Sequence, residues 1–296
     1  MAVLKPLKSG YYVWHYVPSL PASVVFIILF LFITAAHGYK LYKFRLWFCI
    51  PFLVGGLMEV IGYIARAKAE NETDKLMPYI VQSTFTLLPP VLFAASIYMV
   101  LGRIIRAARG EQYSLIRVAR LTKTFVWGDV VSFFIQGSGA GLMAQGASLS
   151  STGQWIVIGG LLVQIIMFGL FGMIAMVFHY RYTRYSVSAM AYSGSNWLGS
   201  LYMLYGVSLL IMVRSIFRVV EFVMGNDGYP MKNEWTLYIF DAVPMFIVMV
   251  VFYFWYPSKL QPLNQDTERV NSAEGLDSTD GVVQLYMGDR QVGQKD

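Results

Sequence analysis

The sequence predicts an all-α membrane protein: a seven-transmembrane-helix bundle with its N-terminus outside and its C-terminus cytoplasmic. Three observations carry this prediction. Of the 296 residues, 56% are hydrophobic and only 14% charged, and the mean hydropathy is +0.53, a balance that suits a polytopic membrane chain. Seven apolar runs of about 20 residues, each long enough to cross a hydrocarbon core, follow one another along the chain. Basic residues gather in alternate connections between them.

The first run, Ala22 to Tyr39, is followed by Lys40, Lys43 and Arg45 and lacks a small-residue cleavage site, so a retained helix is expected. The second, Leu46 to Ala65, carries Glu59 and Tyr63 and leads to Arg66, spaced to share one helix face. The third, Pro78 to Leu101, contains Pro89-Pro90. Two prolines should kink the helix and free carbonyls that can line a cavity, although a purely structural kink fits equally. The fourth, Thr124 to Ala144, places Asp129, Ser132 and Gln136 on one face, and its Gly137 and Gly141 form a GxxxG spacing that suits close helix packing. The fifth is Gln154 to Phe178, the sixth Leu198 to Met224, and the seventh, Trp235 to Tyr256, meets Asp241 within two turns. Long continuous runs favour helices over the shorter alternating strands of a barrel. No internal repeat is visible, which weakens an inverted-repeat transporter reading.

Orientation follows from charge. The connections after runs one, three and five, together with Lys259, hold twelve basic residues against six on the other side. That places the N-terminus outside. Asn71-Glu72-Thr73, the chain's one N-glycosylation sequon, falls in a connection that this topology also places outside. The expected organisation is an extracellular segment 1–21, a membrane domain 22–256 and a tail 257–296. The tail turns polar and acidic, as a disordered cytoplasmic segment does, and is a possible contact for a cytoplasmic regulator. Ser272, Ser278 and Thr279 lie beside acidic residues there, although a solvated terminus explains them as well. The net charge of +6 sits in short connections, so it reads as a topology signal, and no nucleic-acid partner is expected. The single cysteine, Cys49, excludes an intramolecular disulfide.

The densest chemistry is in run six. Arg214, Arg218 and Glu221 fall on an arc of roughly 60° at helical spacing. Ionised groups at bilayer depth cost several kcal/mol unless paired or hydrated, so this face turns toward protein or water. With Glu59, Asp129 and Asp241, the spans hold four acids and two bases. Either the charges form an internal salt-bridge network, with Glu221 on Arg218 and Glu59 or Asp241 on Arg214, or they line a hydrated cavity. A net acidic cavity suits an amphiphile with an amine head.

Other chemistries lack their residues. There is no GxxxxGK[ST] loop for ATP, no lysine in run seven for a retinal Schiff base, and neither a nucleophile elbow nor HExxH. Only His15, His37 and His179 are available, too few for a zinc hydrolase. No enzyme activity, metal or cofactor is expected.

Several stretches resemble the fungal RTA-like, or lipid-translocating exporter, family. They are Met58-Glu59-Val60-Ile61-Gly62-Tyr63 with Arg66, Pro90 through Tyr98, Asp129-Val130-Val131-Ser132-Phe133 with Gln136, and Arg214-Ser215-Ile216-Phe217-Arg218-Val219-Val220-Glu221 leading to Asn233-Glu234-Trp235 and Asp241. The resemblance runs from about Tyr11 to Tyr256. It implies a plasma-membrane or vacuolar protein linked to export of sphingoid long-chain bases and to resistance against toxic amphiphiles, with one branch tied to porphyrin and haem movement. The expected partners are then a lipid amphiphile and membrane lipids. The candidate binding residues are Glu59, Tyr63, Arg66, Asp129, Gln136, Arg214, Arg218, Glu221 and Asp241.

Two alternatives stand beside a carrier. A receptor or stress regulator suits seven helices with a basic third connection from Arg103 to Lys123, although those arginines also serve topology or anionic lipid. A porphyrin or haem carrier could use His37, His179, Tyr180 and the 16 methionines as axial ligands, although methionine in a membrane chain is more often packing.

Overall fold

The computed structural model describes residue 14 and residues 16–73, 75–108, 110–144, 147–185, 197–225 and 228–255. Among these every regular element is helical. The chain divides into two units, Met1–Lys259 and Leu260–Asp296. The second unit, with Ser272, Ser278 and Thr279, lies outside the described residues, as do His15, Arg109 and most of segment 1–21.

The long helices fall where the apolar runs do and extend past them. α1 spans Leu20–Phe44, opening on Pro21 and closing where Arg45 turns left-handed at φ 52°. A short 3-10 turn, Trp47–Cys49, leads into α2, Ile50–Ala69. The two prolines split the third run into α3, Leu76–Leu87, and α4, Pro89–Ala107. α5 covers Val118–Ala144 and α6 covers Ala147–Tyr185. α7 covers Trp197–Met224 and ends at Gly225, whose φ of 63° supplies the left-handed cap that glycine adopts without strain. Two single turns, α8 (Tyr229–Lys232) and α9 (Glu234–Leu237), precede a π-helical turn at Tyr238–Ala242 and α10, Val243–Phe254. Pro244 explains the π turn. It has no N–H for the carbonyl four residues back and its ring crowds that carbonyl, so the ladder widens just before it. Asp241 sits in the widened turn.

Five helical stretches are long and apolar enough to cross a membrane: Leu20–Phe44, Trp47–Ala69, Met77–Ala107, Ser151–Tyr185 and Glu234–Phe254. α5 and α7, which carry Asp129 and Gln136 and the arginine face, fall outside that set. Large side chains such as Ile28, Phe32, Phe134, Ile166 and Leu209 are exposed on the bundle surface. A soluble protein rarely presents so many, whereas a lipid-facing surface requires them. The molecule is an all-α integral membrane protein.

α2 packs on α1, α3 and α4, while α7 packs on α6, α4 and α10. α5 and α6 form the most extensive helix pair. Their close approach does not use the GxxxG glycines, since a side chain at Gly137 or Gly141 would meet nothing within 4 Å. A Cβ at Gly139 would instead lie 2.6 Å from the Gly153 carbonyl, and one at Gly160 would lie 3.0 Å from the Ser132 carbonyl. The expected close packing exists, two residues along from where the spacing put it.

Candidate functional site

The inward faces of α2, α7 and the π turn build a buried ionic cluster. Arg214 and Arg218, one turn apart on α7, both reach Asp241, which therefore bridges them. The Arg214 contact, Nε against Oδ1, is an ion pair without hydrogen-bond alignment. Arg218 Nη1 also donates to Glu221 Oε2 at 3.0 Å. Arg214 Nη2 donates to the Thr86 carbonyl at 2.5 Å. That carbonyl is the one Pro90, four residues on, cannot satisfy for want of an N–H. The proline kink thus opens an acceptor, and an arginine of α7 occupies it.

Glu59 faces the same cluster from α2. Its side chain is 2% exposed, and Arg214, Asp241 and Arg218 all act on it electrostatically. Yet among the described residues it makes no ion pair, and its Oε1 has no hydrogen-bond partner. One turn along, the buried Tyr63 hydroxyl is likewise without a partner. The Tyr63 ring stacks on Phe26 and Phe30.

Arg66, two turns beyond Glu59, belongs to a separate cage. Its Nη2 donates to Glu234 Oε1 at 2.8 Å and to the Tyr16 hydroxyl at 3.0 Å, and its Nε donates to the Tyr238 hydroxyl at 3.1 Å. Burial pushes the Tyr16 hydroxyl up from its ordinary value, with the Arg66 charge working against that rise. This cage ties the segment before α1 to the loop before the π turn.

Asp129 and Gln136 lie elsewhere, where α4, α5 and α6 meet. Tyr98 donates its hydroxyl to Asp129 Oδ2 at 2.7 Å. Gln136 Nε2 donates to Ser132 Oγ at 2.9 Å and to Gln164 Oε1 at 3.0 Å, and Ser132 donates to the Gly160 carbonyl at 2.5 Å. The nine sequence candidates therefore separate: Glu59, Tyr63, Arg214, Arg218, Glu221 and Asp241 come together, Arg66 caps the loops, and Asp129 and Gln136 join other helices. Glu234, Tyr238, Tyr16, Thr86 and Gln164 complete these arrangements and were not singled out as site residues. Glu234 had a signal, standing within a stretch that carried the resemblance, whereas Tyr16 and Gln164 had none.

A groove of about 840 Å³ lies between α6 and α7, with Phe168, Gly172, Met176, Leu209 and Met212 among its walls. His179, Tyr205 and Arg184 line it too, with the Tyr205 hydroxyl 3.4 Å from His179 Nδ1. By helical period, Tyr205, Ser208, Leu209 and Met212 project from the side of α7 opposite Arg214, Arg218 and Glu221. α7 is thus two-faced, ionic toward α2 and the π turn, apolar toward α6. His37 is buried with its Nε2 2.9 Å from the Met249 carbonyl. Asn71 is exposed just beyond α2. Among the described residues no group of three His, Cys, Asp or Glu side chains is placed to hold a metal ion.

No solved structure matches. The chain is 35% identical over 279 residues to Protoporphyrin uptake protein 1 of Saccharomyces cerevisiae, covering 82% of this chain and 91% of the relative. It is 32% identical over 299 residues to Protein RTA1 of the same yeast, covering 92% and 94%. It is 26% identical over 280 residues to the Sphingoid long-chain base transporter RSB1 of S. cerevisiae, covering 81% and 72%. These relatives are named for transport or for the family, not for an enzyme activity. The family profile described as RTA1 like protein matches residues 52–264, a stretch that takes in α2, α7 and the π turn and so the whole ionic cluster. The chain belongs to the RTA1-like family.

Proposed function

We propose that the chain crosses the membrane seven times, with its N-terminus outside, and translocates a lipid amphiphile of the sphingoid long-chain base kind, thereby protecting the cell from toxic amphiphiles. The observation that carries this reading is the ionic cluster, in which Glu59 stands in the field of Arg214, Arg218 and Asp241 and is bonded to none of them. An ammonium head is the complement of such an unpartnered carboxylate, and a single alkyl chain can remain among the apolar side chains around it. Asp241 and Glu221 hold Arg214 and Arg218 in place, so the arginines shape the site while Glu59 meets the head. The membrane family and the relative named as a sphingoid base transporter support the class of cargo. The plasma membrane is the proposed location, and no enzymatic step is assigned.

Purified protein in liposomes tests this with a labelled sphingoid base followed across the bilayer, against protein-free vesicles and Glu59→Gln. Movement that needs the protein and is lost in the variant supports the site. Equal movement in both removes Glu59 from it, and no movement at all sinks the carrier reading in favour of a receptor or regulator. The orientation has its own check. Asn71 should carry a glycan in cells, so endoglycosidase treatment should increase gel mobility and Asn71→Gln should abolish that change.

The groove favours a second reading, a porphyrin carrier. Flat apolar walls beside His179 and Tyr205, with Arg184 available for a carboxylate, suit a tetrapyrrole, and the relative named for protoporphyrin uptake points the same way. A saturable spectral change on adding protoporphyrin to purified protein, weakened by Arg184→Gln, is the expected result. An unchanged spectrum removes this reading.

A further inference from the structure

We propose that Glu59 is a proton-exchange site: a proton occupies its carboxyl when no amphiphile is bound, and leaves as an ammonium head arrives. The inference rests on the head-group reading above and adds to it the energy source, which neither the family nor any relative's name supplies.

The geometry supports it by charge balance. Around Glu59, α7 presents Arg214 and Arg218 with Glu221 beyond them, the π turn presents Asp241 and Tyr238, and α2 itself presents Tyr63 and Arg66. Arg66 is taken by Glu234, Tyr16 and Tyr238. On the neighbouring helices, His37 of α1 is bonded to Met249 and Tyr98 of α4 to Asp129. What remains is Arg214 and Arg218 against Glu221 and Asp241, two charges against two, all in contact. Glu59 is the third carboxyl in a cluster that two arginines already balance. A bare carboxylate at 2% exposure in a membrane, without a partner for Oε1, is strongly disfavoured, so Glu59 is held neutral until an ammonium meets it.

The step balances. The Glu59 O–H bond breaks, its proton leaves to water, and the carboxylate that remains pairs with the incoming ammonium. No other bond changes, and the site carries the same net charge before and after. One proton therefore moves against each amphiphile cation, an electroneutral exchange. At that stoichiometry a difference of one pH unit sustains about a tenfold gradient of the cation.

The experiment uses full-length protein in liposomes with a pH-sensitive dye in the lumen. The probe is a long-chain quaternary ammonium amphiphile, chosen because it cannot cross by losing a proton, with its own label followed in parallel. Added outside, it should enter while the lumen turns alkaline, one proton out per cation in. Clamping the membrane potential should leave the rate unchanged. Glu59→Asp should retain the ratio at lower rate, whereas Glu59→Gln should release no protons while still giving a monodisperse protein. Cation entry without a change in lumenal pH overturns the exchange and leaves the carrier reading standing. Proton release that persists in Glu59→Gln moves the site to another residue and overturns it as well. Absence of cation entry overturns both.

Discussion

Two of the buried polar groups among the described residues sit on helices whose sequences look alike and whose partners differ. Where α2, α7 and the π turn meet, formal charges face formal charges: Asp241 bridges two arginines, Glu221 holds one of them, and Glu59 is left over. Where α4, α5 and α6 meet, neutral donors find neutral acceptors in series, from Gln136 to Ser132 to the Gly160 carbonyl, and from Gln136 to Gln164. The second arrangement is what a helix pair needs to lock its register, since small residues permit close approach and a few hydrogen bonds fix it. The first is more than packing requires. Apolar side chains would hold the helices together without any desolvation penalty, which is why the proposed cargo site is placed at the charged surplus.

The sharpest way to break that comparison is at Asp241. Asp241→Asn leaves Arg214 and Arg218 with Glu221 as the one ion-paired carboxylate, and removing one partner of a buried ion pair costs about 3–5 kcal/mol unless Glu59 ionises in its place. The expected outcome is a pronounced fall in the thermal unfolding midpoint of the purified protein in detergent. A midpoint that stays within error of the native protein would mean that water, or Glu59 ionised in place of Asp241, balances the arginines.

A smaller effect is expected from the neutral cluster. Gln136→Leu removes the donor that Ser132 and Gln164 share, at a cost of roughly 1 kcal/mol, because hydrogen bonds between membrane helices contribute modestly. The same unfolding measurement should show a slight fall, and cation movement in liposomes should continue. A loss of movement in a variant that stays folded would place α5 in the translocation path and erase the distinction between the two clusters.

Much of the architecture was legible because membrane helices write themselves in long apolar runs, and every run found in the sequence overlaps a helix. The arginine face was legible for the same reason, since Arg214, Arg218 and Glu221 repeat with the period of the helix that carries them. The pairing of Glu221 with Arg218 needs only that period. The choice of Asp241 for both arginines needs the π turn, whose cause, Pro244, stands in the sequence without announcing which way the widened turn will face. Arg66 shows the limit most clearly. Its partners Tyr16, Glu234 and Tyr238 lie 50 to 172 positions away, and Tyr16 and Glu234 stand outside the apolar runs whose period could align them. The glycines mislead for a related reason. Gly137 and Gly141 match a spacing, but which of several neighbouring glycines is buried depends on the rotation of α5 against α6, and the contact falls on Gly139.

The smallest expected effect tests the comparison most finely. Asp129 shares with Glu59 both burial and the absence of an ion pair among the described residues, and by sequence alone the two belong in one site. They differ in what they face. Asp129 accepts the Tyr98 hydroxyl at Oδ2, 2.7 Å away, and leaves only Oδ1 unbonded, whereas Glu59 stands within the field of Arg214 and Arg218 and accepts no hydrogen bond among the described residues. Asp129→Asn keeps an oxygen to accept from Tyr98 and removes the capacity to ionise, with a stability cost on the order of 1 kcal/mol because its amide N–H takes the place of the unbonded Oδ1. Cation uptake and its proton ratio should both match the native protein. If Asp129→Asn stops proton release while Glu59→Gln does not, the exchanging carboxyl belongs to the hydrogen-bonded cluster, and the ionic cluster becomes the scaffold instead.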